Sequence, residues 1–374
     1  MKYRLLFLPM IFMFTIQSLL FCQINVPRLQ REMTTLAGFS FETWKAKEDK
    51  VSQFALPVTF IYPVNSKIRV DLTTSPAFTT LNTGQKNTLN GLSDTRIRSH
   101  YLTGNDKFLL TFGLNLPTGK NSLTTEEFNV SNVLSIHSFN FRVPNMGQGL
   151  DLNVGLATAA EVGGFVVGGG ISYLLKGTFK PFKDYDYKYN PGDEISLSAG
   201  LDRKMELFGY DARITGDMVY TIYSSDKGNG NKVFKSGNKF MIQCMSYVRM
   251  ELLDIIVSFK ERMKAKNKTG IGDVFEEERK NSNGNELEIS GQGIYPYSED
   301  LRLKGLLDLK FYGNNDYDTG GAFLLGFGGG GQFRYSEQIV LDGSLQFYVG
   351  SIKSTDESTS LTGFKLSGGL RYYF

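Results

Sequence analysis

At every second position, much of this chain separates into an apolar set and a polar set. Phe364, Leu366, Gly368, Leu370, Tyr372 and Phe374 interleave with Gly363, Lys365, Ser367, Gly369, Arg371 and Tyr373. Leu301, Leu303, Leu307, Leu309 and Phe311 interleave with Arg302, Lys304, Asp308 and Lys310, and Tyr210, Ile214, Met218 and Tyr220 with Asp211, Arg213 and Asp217. A period of two is that of an extended strand with one dry face and one wet face. The runs last roughly 9–13 residues, the length a tilted strand needs to cross a bilayer, whereas strands of soluble sheets average about 5–6. A soluble sheet can also wet one face. Its dry face would then need covering, and the chain shows no amphipathic helices to do it.

The pattern predicts sixteen strands, at 33–44, 51–62, 67–75, 92–102, 107–117, 149–160, 164–178, 193–203, 208–223, 237–249, 252–262, 285–295, 301–312, 321–334, 337–350 and 362–374. The first hairpin alternates least clearly, which leaves fourteen as the alternative. Short connections (63–67, 103–107, 161–164, 204–209, 295–300, 334–338) take turns with long polar ones (75–91, 118–148, 179–192, 224–236, 263–284, 313–320, 351–361). Short turns at one end and long loops at the other describe a transmembrane antiparallel β-barrel with periplasmic turns and extracellular loops. The highly charged loop 263–284 is expected to be mobile, and TTEEF (124–128) to start a short helix.

Composition agrees with strands. There are 41 glycines, 29 phenylalanines and 19 tyrosines, but a single tryptophan. At the N-terminus, Lys2 and Arg4 precede an apolar run from Leu5 to Phe21, which predicts a secretory leader over residues 1–22 and one mature domain over 23–374. Cys244 would then be the sole cysteine, so no internal disulfide is available. With Lys2 and Arg4 gone from the 41 basic residues, the charge nearly balances the 38 acidic ones. No basic cluster suggests nucleic acid.

Candidate chemistry is sparse. His100 shares a register with Arg96 and Arg98, while Ser99 points to the opposite face, and His137 lies in a long loop. Neither belongs to a nucleophile constellation, and His100 reads as an isolated histidine on a wet face. LPTGKNS (116–122) lacks the spacing and the Ser/Thr of a phosphate loop, and GFGGGG (326–331) precedes a strand rather than a helix. Those glycines fit a bent strand or one packed against something in the lumen. DYDYKY (184–189) and NNDYDTGG (314–321) match no calcium loop. No catalytic residue, metal or cofactor is expected. A barrel hydrolase ranks third among functions.

The wet faces nominate lumen-lining residues: Arg96, Arg98, Asp211, Arg213, Asp217, Arg249, Arg302, Lys304, Asp308, Lys310, Lys365 and Arg371. Both signs are mixed and no ring of one sign stands out. They line either a polar conduit or a barrel stiffened by its own charge network.

The stretch GLSDTRIRSHYLTGNDKFLLTFGLNLPTGK (91–120), preceded by LPVTFIYPVNSKIRVDLTTSPAF (56–78), resembles the outer-membrane proteins of the phenol-degradation meta pathway, within the FadL-like group. The likeness covers about sixty residues by sequence pattern. It implies a monomeric, porin-like barrel in the bacterial outer membrane that passes small, often hydrophobic or aromatic compounds. It also departs from that group: too few residues precede the first strand for a large N-terminal plug, and the charged lumen suits a fatty-acid tunnel poorly. A non-transporting structural or surface-interaction barrel is the other reading. The closing LTGFKLSGGLRYYF resembles a barrel-insertion signal, carried by Leu366, Leu370, Tyr372 and Phe374. It implies outer-membrane lipid and the barrel assembly machinery as partners.

Overall fold

The computed structural model describes residues 32–103, 107–272, 274–354 and 357–374. The predicted leader lies outside them. Sixteen antiparallel strands close into one barrel. They run in chain order as β1 (Thr34–Ala46), β2 (Asp49–Ala55 and Val58–Pro63), β3 (Ile68–Thr74 and Pro76–Asn82), β4 (Lys86–Leu92 and Thr95–Thr103), β5 (Phe108–Leu116) and β6 (Asp151–Val162). There follow β7 (Phe165–Leu175), β8 (Glu194–Leu207), β9 (Tyr210–Tyr223), β10 (Lys239–Arg249), β11 (Asp254–Lys264) and β12 (Glu286–Pro296). The last four are β13 (Leu301–Tyr312), β14 (Ala322–Arg334), β15 (Ile339–Ser354) and β16 (Glu357–Tyr373). Each pairs with its neighbours in sequence, and β16 pairs with β1 from Thr34↔Tyr373 to Ala46↔Leu361. Closure leaves no open edge among them.

The outward set is apolar, as the alternation requires. Phe39, Phe112, Leu156, Ile171, Leu307, Phe327 and Phe347 are exposed. Tyr101, Phe108, Tyr295 and Phe311 are exposed as well, while Phe259 and Tyr372 are half-buried. Such a band has no place in water but matches a hydrocarbon layer.

Three neighbouring strands break at one height. The ladder is interrupted at Leu56–Pro57 in β2, at Ser75 in β3 and at Ser93–Asp94 in β4. Two of the breaks adjoin prolines, which have no N–H to donate. Residual bonds stitch the line together: Gly38 N–H to Pro57 O, Leu56 N–H to Pro76 O and Ser93 N–H to Ser75 O, each 2.9 Å. Across the break in β4 the inward set shifts from Asn87, Leu89 and Gly91 to Arg96, Arg98 and His100.

Several expected loops are not loops. Residues 76–82 and 86–92 extend β3 and β4 as a hairpin, and β15 and β16 run on through much of 351–361. Segments 224–236 and 263–284 hold strands of a second, five-stranded sheet (189–190, 225–228, 231–235, 268–271, 274–277) above β7–β12. The charged loop 263–284 is thus ordered into a hairpin, Lys268–Ile271 against Val274–Glu277.

Candidate functional site

The long connection between β5 and β6 does not project outward. It folds into the barrel and builds an apolar core there. Its helix α1 (Thr125–Leu134) starts at a capping box in which Thr124 and Glu127 satisfy each other's backbone N–H. Val130 and Leu134, one helical turn apart, are buried, as are Phe139, Phe141, Val143 and Met146 in the extended stretch that follows. They pack against Trp44, Val51, Ala55, Ala77, Leu81 and Leu89 from β1–β4, and against Tyr312, Leu324, Tyr348 and Leu361 from β13–β16. Rings organise the contact: Trp44 lies 5.4 Å from Phe139 and 5.2 Å from Tyr348, centroid to centroid. Trp44 has room because position 363 is glycine; a Cβ there would meet its ring at 2.5 Å. Gly326, the first of the six-residue glycine-rich run, likewise lies under the Tyr348 ring.

Polar groups fix the insert's position. Gln53, 1% exposed, donates from Nε2 to Val143 O (2.8 Å) and accepts from Val143 N–H (2.9 Å), so its side-chain amide acts as a strand neighbour. Asp94, at the break in β4, holds both ends of the insert. Its Oδ1 accepts from Gly119 N–H (3.0 Å) and its Oδ2 from Gln148 N–H (2.8 Å). Its own N–H donates to Met146 O (2.9 Å), and Thr118 bonds Thr95 beside it. The residues that carried the family likeness, GLSD and LPTGK, therefore form this latch. Arg142 is pushed down to about 10 by burial, with the Glu42 charge acting in the opposite direction.

Across the lumen the inner face is ionic. Lys176 pairs with Glu194, Lys260 with Glu288 (3.2 Å), Arg262 with Glu286 and Arg213 with Asp202. Farther round, Lys304 pairs with Asp342 and Lys365 with Glu42 (3.1 Å). Asp308 accepts from Tyr348 Oη (2.7 Å) and Gln346 Nε2 (3.0 Å), and Lys310 lies over the Tyr348 ring.

The pairings place the nominated residues. Asp211 and Arg213 stand opposite Arg249 and Tyr247 on β10, and Asp217 opposite Gln243. Arg302 and Lys304 face Gln332 and Gly330. Arg98 donates to Asn115 Oδ1 (3.1 Å) beside Asp151, and Arg96 stands opposite Thr73. Arg371, buried, bonds Tyr373 Oη (3.2 Å). All share the face that bears the ion pairs. The structure joins some of them in short cross-strand pairs, Arg213 with Asp202, Lys304 with Asp342 and Lys365 with Glu42, and does not gather them into one constellation. His100 corrects the sequence reading: it is buried, 3.4 Å from Asp71, which also holds Arg69. Missed altogether were Gln53 and the apolar residues of 130–146; Asp94 reads in the sequence as a lumen charge within GLSD, without its role in holding the insert. The signal present was FNFRV (139–143), an alternation too short to register inside a polar loop.

No protein-family model matches this chain, and no curated protein sequence matches it either. Solved structures do. CdiB from Acinetobacter baumannii aligns over 90% of this chain at 10% identity with a TM-score of 0.50; the match spans 60% of the CdiB chain. OprB of Pseudomonas putida aligns over 92% of this chain and 94% of its own at 10% identity (TM-score 0.46). CymD, a monoaromatic hydrocarbon channel, aligns over 92% and 90% at 12% (TM-score 0.42). At these identities the likeness is one of fold. With its closed sheet, apolar outer band and inward-folded insert, the chain is a sixteen-stranded antiparallel β-barrel of the bacterial outer membrane, crossing it many times.

Proposed function

We propose that this barrel is a diffusion channel for small organic compounds, narrowed by the segment latched inside it. One observation carries the reading. The insert covers only part of the inner surface. On β1–β3, Trp44, Gln53, Ala55, Ala77 and Thr79 are 0–4% exposed. On β10–β12, Gln243, Met245, Ser258, Ser290 and Gln292 all keep solvent-accessible surface. A lumen sealed for purely structural ends would bury both walls. The paired charges on the open side keep that path wet without presenting one uncompensated sign along its length. Aromatic or hydrophobic cargo, and membership of the FadL-like group, rest on the pattern at 56–78 and 91–120 alone. Passage through the barrel would be passive or facilitated, by a monomer.

Planar-bilayer recording of the purified protein tests this. The expected result is a small, steady conductance. Asp94→Ala should make it noisy and larger, because both ends of the insert lose their acceptor. A silent wild type with a silent Asp94→Ala variant would favour the structural barrel instead.

A further inference from the structure

Where β10 and β11 meet the extracellular mouth, Lys239 and Lys264 stand directly opposite each other in register on the inward face. Like charges so placed disfavour a ladder. The neighbouring cations are each matched: Lys176 by Glu194, Lys260 by Glu288, Arg262 by Glu286. Lys239 and Lys264 have no ion-paired carboxylate among the described residues. The other acids within electrostatic reach, Glu194, Glu278 and Asp226, are engaged elsewhere. Glu194 holds Lys176; Glu278 accepts from Asn267 N–H (2.8 Å) and Ser282 N–H (3.1 Å). Asp226 accepts from Tyr189 Oη and from Gly192 N–H (2.6 Å). Five cations (Lys176, Lys239, Lys260, Arg262, Lys264) thus meet three wall carboxylates (Glu194, Glu286, Glu288).

The insert supplies the opposing side. His137 is exposed there, and Lys239, Lys260, Arg262 and Lys264 all act on its imidazole. Although the residue keeps solvent contact, partial desolvation of its ring inside the barrel, together with those four cations, lowers it to about 4, so it adds no positive charge at neutral pH. Ile136 next to it is 38% exposed. One inward step below Lys239 lies Met241, opposite Val219, both nearly buried so that only their edges reach the lumen. A cationic pair thus stands at the rim, with apolar side chains beneath it and across from it.

We infer that this mouth binds a small organic monocarboxylate, its oxyanion seated between Lys239 and Lys264 and its apolar body toward Met241, Val219 and Ile136. The inference names a substrate class for the proposed channel and rests on that reading, but binding is measurable without conduction. In detergent solution, calorimetric titration with sodium benzoate is compared with benzyl alcohol, a neutral molecule of similar shape. Benzoate is expected to bind at least ten-fold more tightly. Lys239→Gln with Lys264→Gln should bring benzoate to the level of the alcohol, with heat-modifiable gel migration unchanged. Lys264→Glu alone, which replaces the repulsion with a cross-strand ion pair, should do the same and move the reversal potential in a KCl gradient toward cations. Equal binding of benzoate and alcohol, or full benzoate binding by the variants, overturns the assignment. Carboxylate binding by a protein that never conducts keeps the anion site and sinks the channel.

Discussion

The inner faces of β1–β3 and of β10–β12 begin from the same kind of strand but end differently. The first carries Trp44, Val51, Gln53, Ala55, Ala77 and Thr79 inward, and the insert covers all of them. The second carries Gln243, Met245, Ser258, Lys260, Ser290 and Glu288, which keep water or pair across strands. Alternation specifies which face avoids lipid. It does not specify whether that face meets water or protein; that depends on what the rest of the chain places in the lumen. One wall is therefore stabilised as a soluble core is, by apolar burial and by satisfied buried amides. The other is held by its ladder and by short charge pairs.

Deleting the insert separates the two walls most sharply. Replacing residues 121–146 with a short Gly-Ser linker should raise single-channel conductance several-fold and leave β10–β12 intact. Trp44, Leu81 and Leu89 would then face water. An unchanged conductance would show that the insert does not narrow the path.

Trp44→Ala asks how much the covered wall owes to packing. Removing a buried tryptophan costs about 3–5 kcal/mol where the site cannot collapse. Trp44 touches Phe139 and Tyr348 and fills the space over Gly363. The expected outcome is a lowered temperature for the folded-to-unfolded gel shift, with faster amide exchange over 130–146. A variant matching wild type in both would mean the cluster contributes little.

Two ion pairs then set a buried stretch of the inner face, between β13 and β15, against the open wall. Lys304 and Asp342 have side chains 4% and 13% exposed, against 25% and 23% for Lys260 and Glu288. Breaking a buried pair strands its partner and costs about 3–5 kcal/mol, whereas an exposed pair is worth about 0–1 kcal/mol. Lys304→Ala should therefore destabilise the barrel clearly more in urea titration than Lys260→Ala. Equal losses would dissolve the distinction.

Much of this was legible in the sequence, for a physical reason. Inside the bilayer each strand needs one continuous apolar face, so Leu301–Phe311 and Phe364–Phe374 announce themselves. Above the bilayer that requirement lapses. Residues 76–92 form a hairpin whose outward Thr80, Thr88 and Asn90 are polar, so SPAFTTLNTGQKNTLNG reads as a loop. The insert escaped notice because its apolar residues follow two periods in turn, helical at Val130 and Leu134 and alternating at Phe139–Val143. Neither runs long enough to stand out. His100 looked wet because its partners, Arg69 and Asp71, lie on another strand.

The seam between β16 and β1 joins the covered wall to itself, and its last residue tests assembly rather than stability. Phe374 is exposed on the outer face, with its ring 4.6 Å from Tyr372 and 6.5 Å from Phe60, while its N–H donates to Met33 O (3.0 Å). Phe374→Ala keeps that backbone bond and removes only lipid-facing contacts, so the folded barrel should lose about 1 kcal/mol or less. If Leu366, Leu370, Tyr372 and Phe374 also serve as an insertion signal, outer-membrane levels of the variant should fall well beyond what that loss explains. Refolding into detergent in vitro should stay near wild type. Normal levels in cells would confine Phe374 to its contacts with Tyr372 and Phe60; a matching defect in vitro would make it a packing residue of the seam.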